Sequence, residues 1–326
     1  MARARPIVIA HRGASGYLPE HTLACKALAH AMGADFIEQD VVLTADAVPI
    51  VLHDIYLDST TDVAAQYPHR VRDDGHFYAM DFTLDEVRRL SVHERCTVDT
   101  SGTRRPVYPA RFPIDIALFQ IPTLAEEIDL IAGLDKSRGR QTGLYIELKS
   151  PNRHRAAGLD LTSAVCRVLR EKGYAERPGQ VFLQCFDDQT LRELKKTLAE
   201  TPLPLIQLIA ENSWGEDSAV DYDYLRSASG LDEIASYADG IGPWVAHIYQ
   251  GKDASGAPRV SSLVEQAQAR GLLVHPYTLR SDDLPADMAD FNELLDLLLR
   301  DQGVDGVFTD FPDRVVEYLG GWRQRA

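Results

Sequence analysis

The chain has 326 residues, of which 45% are hydrophobic and 25% are charged, so it is long enough to bury a sizeable core. Its formal net charge of −15 disfavours nucleic acids and anionic membranes as partners, and an anionic small molecule would need a local basic pocket. The four cysteines lack paired spacing, which predicts no disulfide framework, and no apolar run reaches the length of a membrane span.

The first part of the chain predicts three short strands and one helix. Residues 6–10 form a β-branched run, and apolar residues at helical spacing over 20–32 predict a helix that Gly33 ends. Residues 36–43 predict the second strand. Residues 48–52 follow after a short polar turn, too soon for a crossover helix, so they are expected to pair with the second strand as a hairpin.

Residues 56–121 interrupt this rhythm and are interpreted as an insertion. The segment is rich in Asp, Arg, His, Pro and Gly, and it contains one convincing helix, at 83–90, where Thr83 and Glu86 form a capping box. Long excursions in compact domains tend to be lids or binding loops. We therefore expect this polar insertion to cover one side of the functional site.

A regular alternation of strands and helices follows the insertion. Strands are predicted at 143–148, 180–186, 205–210, 240–243, 272–277 and 306–309. Helices are predicted at 123–134, 159–172, 188–200, 231–237, 261–269, 290–300 and 314–319. With the first two strands this makes eight βα units, which predicts an α/β fold of the (β/α)8 TIM-barrel type, a single domain over 1–326. A doubly wound open sheet is the alternative, but the chain has no good glycine-rich phosphate loop after a strand.

Ionisable and amide side chains stand where the predicted strands end. In a barrel of this type the carboxyl ends of the strands meet at one rim, where active sites lie. The residues expected there are His11, Arg12, Glu38, Asp40, His53, Asp54, Glu147, Lys149, Gln184 and Asp310.

Three of these residues suggest a metal site. Glu38 and Asp40 are two apart on one strand and share a face, and Glu147 ends a later strand. Three carboxylates on one rim need neutralising, and oxygen-only ligands suit one divalent cation, Ca²⁺ or Mg²⁺, better than zinc. The alternatives are a structural ion network with Arg12 and Lys149, and a zinc-type hydrolase site.

The histidines and cations at the same rim suggest chemistry on a phosphate. His11 and His53 titrate near neutrality and together fit a general acid and a general base, although either alone would more often be structural. Arg12 and Lys149 fit an anion clamp. Arg12 could instead be paired with Glu20 or Asp54, which would orient it without excluding catalysis.

Several residues at the predicted strand ends are assigned to substrate contact. These are Gln184, Phe186 and Tyr277, although a core role is equally open for the two aromatic residues. Trp214, Tyr222 and Tyr224 could line the mouth of the site, but aromatic residues in a loop of this length usually pack the loop itself, and we interpret them in that way.

A set of short motifs in this order resembles the glycerophosphodiester phosphodiesterase family. The resemblance runs from Ile9 to about Tyr318, nearly the whole chain. Its motifs are His11-Arg12-Gly13, Pro19-Glu20-His21-Thr22, Glu38-Gln39-Asp40, His53-Asp54, Glu147-Leu148-Lys149, Gln184-Cys185-Phe186 and 306–312. The insertion, with its 81–86 stretch, and residues 275–280 resemble the bacterial periplasmic branch, which shares His21 and Tyr277 where most members have Asn and Trp.

The resemblance implies a TIM-barrel phosphoric diester hydrolase. Its substrates would be glycerophosphocholine, glycerophosphoethanolamine and similar diesters, cleaved to glycerol 3-phosphate and an alcohol. It implies that Glu38, Asp40 and Glu147 hold a Ca²⁺ or Mg²⁺ ion, that His11 and His53 are acid and base, and that Arg12 binds phosphate.

The resemblance also sets the expected location and the rival functions. A periplasmic location is implied, with any leader absent from this chain, and a cytoplasmic one is the alternative. No membrane insertion is expected, and the protein should be a monomer or a homodimer. The rivals are a lipid phosphodiesterase of the sphingomyelinase D or phosphoinositide phospholipase type, and a non-enzymatic binding module. The polar insertion and the net charge favour a soluble diester.

Overall fold

Short runs of buried apolar residues form the strands of a nearly closed barrel, in a computed structural model that describes residues 5–99 and 102–320. Eight of the strands are parallel neighbours, in the order β12-β9-β8-β7-β6-β2-β1-β13. The strands are β1 Ile7–Ala10, β2 Phe36–Leu43, β3 Pro49–Val51, β4 Cys96–Val98, β5 Arg104–Pro106, β6 Gly143–Leu148, β7 Val181–Cys185, β8 Leu205–Ile209, β9 Gly240–Pro243, β10 Tyr249–Lys252, β11 Pro258–Val260, β12 Leu273–Val274 and β13 Gly306–Thr309.

Helices cover the outside of the barrel and cap several of its loops. They are α1 Leu23–Met32, α2 Val63–Gln66, α3 Leu84–Val87, α4 Leu124–Arg138, α5 Pro151–Ala156, α6 Leu161–Glu171, α7 Asp188–Thr197, α8 Tyr222–Leu225, α9 Ala228–Ala235, α10 Val245–Ile248, α11 Leu263–Gln268, α12 Phe291–Leu295 and α13 Pro312–Gly320, with a π-helix at Asp296–Gln302 and 3₁₀ turns at Pro68–Arg70, Ala79–Asp81 and Asn212–Trp214.

The barrel closes between the segment after β12 and strand β13. The backbone N–H of Phe308 donates to the carbonyl of Pro276 at 3.0 Å, and that of Leu279 donates to the carbonyl of Phe308 at 2.8 Å. On its other side β13 pairs in parallel with β1. The predicted (β/α)8 barrel is therefore confirmed, and the open-sheet alternative is wrong. The predicted hairpin is also confirmed, because β3 runs antiparallel to β2.

Several predicted boundaries are wrong for local reasons. The first helix begins at Leu23 and not at residue 20, because the side chain of Thr22 caps it and His21 has a left-handed backbone with φ of 60°. The predicted helix at 83–90 is one turn, α3, although its capping box is confirmed. The predicted strand at 272–277 is regular only at Leu273–Val274.

The described part of the insertion, residues 56–99 and 102–121, has a hydrophobic cluster of its own. Leu57, Val63, Phe82 and Leu90 are buried there and pack against Ile50 of β3. The insertion is therefore a folded attachment to the hairpin strand and not only a polar loop.

A small aromatic cluster fills the centre of the barrel below the site. Phe36, Tyr145 and Phe308 are buried there, and the hydroxyl of Tyr145 lies 2.9 Å from Nδ1 of His275. This floor leaves the carboxyl ends of the strands as the open face of the barrel. Among the described residues, no helix combines the length and the apolar character that spanning a bilayer requires.

Candidate active site

A cavity of about 290 Å³ opens at the carboxyl ends of the barrel strands. It is bordered by nine of the residues that the sequence predicted for substrate contact, catalysis or metal binding: His11, Arg12, Glu38, His53, Glu147, Lys149, Gln184, Phe186 and Tyr277. Asp40, the tenth, lies buried directly behind this wall on β2. Strand ends that are distant in sequence thus contribute to one site.

The three predicted metal ligands are clustered and buried. One oxygen each from Glu38, Asp40 and Glu147 lie within 4.8 Å of one another. Burial, with the charge of Asp40 nearby, raises the pKa of Glu38 to about 8, and burial raises the pKa of Glu147 well above its usual value. Asp40 Oδ1 is buried and has no hydrogen-bond partner in the described part of the chain. Crowded carboxylates with an unsatisfied oxygen fit a hard divalent cation.

Neighbouring groups fix the orientation of these carboxylates. The backbone N–H of Arg12 donates to Glu38 Oε2 at 2.8 Å, and Gln184 Nε2 donates to Glu38 Oε1 at 2.9 Å. The ammonium of Lys149 lies 2.7 Å from Glu147 Oε1. Gln184, which we expected to contact substrate, thus also positions a metal-type carboxylate.

A second layer of polar residues stands behind Asp40. His21 Nε2 lies 2.7 Å from Asp40 Oδ2, and the ammonium of Lys26 lies 3.1 Å from His21 Nδ1. Because an ammonium can only donate, Nδ1 accepts and the proton of the neutral ring is on Nε2, which donates to Asp40. Burial, followed by the charge of Lys26, lowers the pKa of His21 to about 3, and Lys26 itself pairs with the buried Glu127 at 3.2 Å.

His11 is one half of a buried histidine–carboxylate pair. Its Nδ1 lies 2.6 Å from Asp310 Oδ1, and its Nε2 lies 3.8 Å from Glu38 Oε2. The other oxygen of Asp310 accepts hydrogen bonds from Arg111 and Arg280, each at 2.7 Å. Asp310 therefore fixes the ring of His11, and two guanidinium groups fix Asp310.

His53 forms a second pair of the same kind. Its Nδ1 lies 2.7 Å from Asp54 Oδ1, and Asp54 Oδ2 accepts from Arg95 at 2.7 Å. Arg95 also donates to Glu20 at 2.6 Å, and Glu20 pairs with Arg12 at 3.0 Å. The pairing of Arg12 with Glu20 that the sequence allowed is present, whereas Asp54 pairs with Arg95.

Both histidines can exchange a proton through Nε2, because Nδ1 of each ring is paired with a carboxylate. Burial and the charge of Arg12 lower the pKa of His11 to about 4, and burial, Arg12 and Lys149 lower the pKa of His53 to about 4. The rings are thus neutral at neutral pH. Because Asp310 and Asp54 accept from Nδ1, each Nε2 carries a lone pair that can accept a proton.

The cations predicted to grip an anion border the same cavity. Arg12 has a left-handed backbone with φ of 58°, and it precedes Gly13 with φ of 98°. A Cβ on Gly13 would lie 2.7 Å from Cys25 Sγ, so only glycine fits the turn that aims Arg12 inward. The charge of Glu147 raises the pKa of Lys149 although burial alone would lower it, so Lys149 stays protonated.

Aromatic residues form a further part of the cavity wall. Phe186 lies with its ring centroid 5.5 Å from the ammonium of Lys149, and the hydroxyl of Tyr277 donates to the carbonyl of Ile209 at 2.8 Å. Trp214 borders the cavity, so our interpretation of it as loop packing is wrong. Tyr222 is buried at the start of α8, where its hydroxyl donates to the carbonyl of Phe186 at 3.3 Å.

The functional residues that sequence reasoning missed are mostly arginines. Arg95 and Arg111 lie in the insertion, and Arg280 follows β12 in a motif that we noted without assigning it a role. His21 and Lys26 were also missed as supports of Asp40. The signal available in the sequence was Thr22, a residue type that caps helices: it places His21 in the turn before α1, near the strand ends.

Comparisons with known proteins agree with this site. The model of the glycerophosphoryl diester phosphodiesterase family matches residues 11–314. A glycerophosphodiester phosphodiesterase of Haemophilus influenzae is 41% identical over 97% of this chain and 90% of its own length, and one of Treponema pallidum is 38% identical over 96% and 92%. These matches favour this family over the related lipid phosphodiesterases.

Solved structures share the fold. One is a crystal structure of a protein from Silicibacter pomeroyi that is named provisionally as a glycerophosphoryl diester phosphodiesterase. It is 27% identical in sequence with a TM-score of 0.70, and the match covers 98% of this chain and 95% of the other. A phosphodiesterase of Oleispira antarctica in complex with sn-glycerol-3-phosphate is 23% identical with a TM-score of 0.65, over 97% of both chains. That likeness supports the barrel fold.

Proposed function

The chain belongs to the glycerophosphoryl diester phosphodiesterase family, and from this premise we propose that its barrel site hydrolyses glycerophosphodiesters to glycerol 3-phosphate and an alcohol. The protein is accordingly a phosphoric diester hydrolase. The observation that carries the proposal is the convergence, around one cavity, of two histidine–carboxylate pairs, three clustered carboxylates and two anion-binding cations.

In the proposed reaction the phosphodiester lies between the two histidines. Arg12 and Lys149 bind the non-bridging oxygens and stabilise the charge that develops as phosphorus becomes pentacoordinate. One histidine removes a proton through Nε2 from the nucleophile, which is water or the substrate's own 2-hydroxyl; the 2-hydroxyl would give a cyclic phosphate that water then opens. The other histidine, neutral in the free protein, takes up a proton at Nε2 beside the bound anionic phosphodiester and gives that proton to the leaving alcohol oxygen. Asp310 and Asp54 stabilise the imidazolium forms.

Glu38, Asp40 and Glu147 would hold one divalent cation, and Ca²⁺ or Mg²⁺ is the choice that oxygen ligands support. Such an ion supplies Lewis-acid polarisation of a phosphoryl oxygen. Binding it would also lower the pKa of Glu38 and Glu147, whose ionised forms are disfavoured by burial and crowding.

The central test is alanine replacement at His11, His53 and Glu38, assayed on glycerophosphocholine with and without EDTA. We expect wild-type turnover to be abolished by EDTA and restored by added Ca²⁺ or Mg²⁺, and each replacement to reduce turnover at least about a hundredfold. Unchanged turnover in all three variants would refute the proposal. Titration with each ion separately would identify the one that the protein prefers.

A periplasmic location is proposed on the strength of the resemblance of the insertion and of residues 275–280 to the periplasmic branch. Cell fractionation of the full-length gene product tests it, and recovery of activity with the cytoplasm would contradict it. The expectation of a monomer or a homodimer stays a prediction, and sedimentation equilibrium would test it.

A further inference from the structure

Two tryptophans border the cavity, each after one of two neighbouring strands. Trp214 follows β8, and Trp244 directly follows β9. Strand β9 lies four places around the barrel from β2, which carries Glu38 and Asp40. In an eight-stranded barrel four places is the diametrically opposite position, so Trp244 follows a strand opposite the one that carries Glu38 and Asp40. Trp214 follows β8, two places from β6 with Glu147.

The tryptophan rings are arranged as an open corner. Their centroids are 5.2 Å apart and their planes meet at 63°. The two residues are 44% and 37% exposed, which is unusual for the largest apolar side chain. Because neither ring is buried in the core, part of each aromatic surface remains available to a bound molecule.

A carboxylate accompanies this corner. Glu216 follows Trp214 after one residue and also borders the cavity, where it is half-buried. From residues 5–99 and 102–320, no hydrogen bond or ion pair reaches its carboxylate, whereas nearby Glu211 pairs with Arg226 and His247. The charge of Glu216 does act on Lys149, where it adds to Glu147 and Asp40 in raising the pKa of that ammonium. A half-buried acid without a hydrogen bond or an ion pair is suited to a cation that arrives with a ligand.

We propose that Trp214, Trp244 and Glu216 bind a cationic ammonium group on the leaving alcohol, so that the enzyme favours zwitterionic diesters such as glycerophosphocholine. This inference rests on the proposed function. Arg12 and Lys149 provide positive charge where the phosphate would lie, and the aromatic corner with its acid provides the opposite polarity at the border of the same cavity. A substrate with an anion at one end and an ammonium at the other matches both ends.

The chemistry of the wall excludes the other common head groups as preferred ligands. Indole faces attract a quaternary or primary ammonium through the ring quadrupole, and a carboxylate adds to that attraction. A neutral polyol gains neither interaction, and an anionic head group would be repelled by Glu216. Because head-group contacts are made equally before and during the reaction, they should act on KM more than on kcat.

The test compares glycerophosphocholine with glycerophosphoglycerol, a neutral-head diester, as substrates of the full-length, metal-loaded enzyme. The Trp214→Ala/Trp244→Ala variant should lose about tenfold in the ratio of the two kcat/KM values, through a higher KM for glycerophosphocholine. The Glu216→Gln variant should lose about threefold. Phenylalanine at both tryptophan positions, which keeps a ring face, should retain most of the preference.

Matched controls separate a local effect from a general one. Leu118→Ala removes an exposed apolar side chain in the insertion, and Glu265→Gln removes one negative charge on α11, so neither should change the ratio. Tetramethylammonium chloride should inhibit the wild type competitively, more than sodium chloride at equal ionic strength, and should inhibit the double alanine variant less.

The outcomes distinguish this inference from the proposed function. If the wild type hydrolyses neither diester, the proposed function fails. If the wild type hydrolyses both diesters and the alanine variants lose equally on both, or lose on neither, the function stands and the ammonium site is wrong. A loss confined to glycerophosphocholine that phenylalanine rescues supports the site even where the alanine variant is less stable.

Discussion

The two histidine–carboxylate pairs of the site have similar distances between Nδ1 and the carboxylate oxygen, and they differ in their exposure to solvent. The His11 side chain is 9% exposed and its partner Asp310 is 2% exposed, whereas the His53 and Asp54 side chains are 29% and 23% exposed. The first pair joins residues 299 apart in sequence, which follow the first and the last barrel strand, β1 and β13. The second pair joins adjacent residues.

The difference shows how one barrel rim provides two proton carriers for separate steps. The buried pair lies 3.8 Å from the metal-type carboxylate Glu38, and its Asp310 is held by Arg280, which follows β12, and by Arg111 of the insertion. The exposed pair depends on Arg95 of the insertion. The insertion therefore contributes one arginine to each pair, but the buried pair also has Arg280 of the barrel, whereas Arg95 is the only arginine among the described residues that donates to Asp54.

The largest expected effect comes from removing each proton carrier. Either His11→Ala or His53→Ala should lower kcat on glycerophosphocholine by about a thousandfold, since general acid–base groups typically contribute 10² to 10⁴. With a p-nitrophenyl ester of glycerol 3-phosphate, whose leaving group needs no proton, only one variant should recover.

That recovery would identify the general acid, because only the acid protonates the leaving group. Recovery of both variants, or of neither, would contradict the division of labour between the two histidines. An Asn variant at each position, which keeps a polar side chain of similar size, controls for loss of packing.

The next effect concerns the orienting carboxylates. Asp310→Asn and Asp54→Asn should each lower kcat by about ten- to a hundredfold, because an amide can hold the wrong tautomer of the ring. The buried Asp310→Asn should also lower the free energy of unfolding by about 3 kcal/mol, since it leaves Arg280 without its charge partner and leaves Arg111 with Asp282 alone.

Chemical denaturation of both variants checks this contrast. Asp54 is more exposed, and we expect its replacement to change the free energy of unfolding by about 1 kcal/mol or less. Equal losses of stability in the two variants would show that burial does not distinguish the pairs.

A smaller effect should separate the two arginines of the insertion. Arg95→Gln breaks the link from Asp54 to Glu20 and Arg12, so kcat on glycerophosphocholine should fall about tenfold while the midpoint of thermal unfolding changes little. Arg111→Gln leaves Arg280 on Asp310, so kcat should fall only about threefold. The reverse order of the two losses would contradict the assignment of Arg95 to the exposed pair. Arg105→Gln, a highly exposed arginine of the insertion, is the control.

The sequence predicted the barrel because its strands are continuous buried runs bounded by turn residues. Phe36–Leu43, Gly143–Leu148, Gly240–Pro243 and Gly306–Thr309 match their predicted limits. Helix starts were less certain, because His21 and Thr22 are compatible with helical periodicity and only the left-handed turn at His21 excludes it. The length of the strand predicted at 272–277 was overestimated, because the hydrogen bonds that close the barrel come from the irregular segment after Val274.

The metal-type carboxylates and both histidines could be predicted because they end strands, where the period of two fixes which side chains face together. The arginines could not be. Arg95 and Arg111 lie in an irregular polar segment with no periodicity that would distinguish an inward arginine from the surface ones, and their partners Asp54 and Asp310 are distant in sequence. His21 and Lys26 were missed because His21 meets Asp40, with Lys26 behind it, only after α1 folds against β2.

The smallest effect is the contribution of each histidine to stability in acid. The pKa of His11 and of His53 is lowered to about 4 by burial and neighbouring cations, against an ordinary value of 6.5. A group whose pKa is depressed by folding stabilises the folded state above its unfolded pKa. That contribution is lost as the pH falls from about 6.5 toward 4, because the unfolded chain takes up the proton first.

In metal-free protein, the free energy of unfolding should therefore decrease between pH 7 and pH 4, and each histidine should account for part of the slope. His11→Gln should flatten the curve more than His53→Gln, because solvent around the more exposed His53 screens its interactions with Arg12 and Lys149. Urea denaturation at half-unit pH intervals measures both slopes. A larger change in the His53 variant would mean that the cations around the cavity, and not burial, dominate the environment of the two rings.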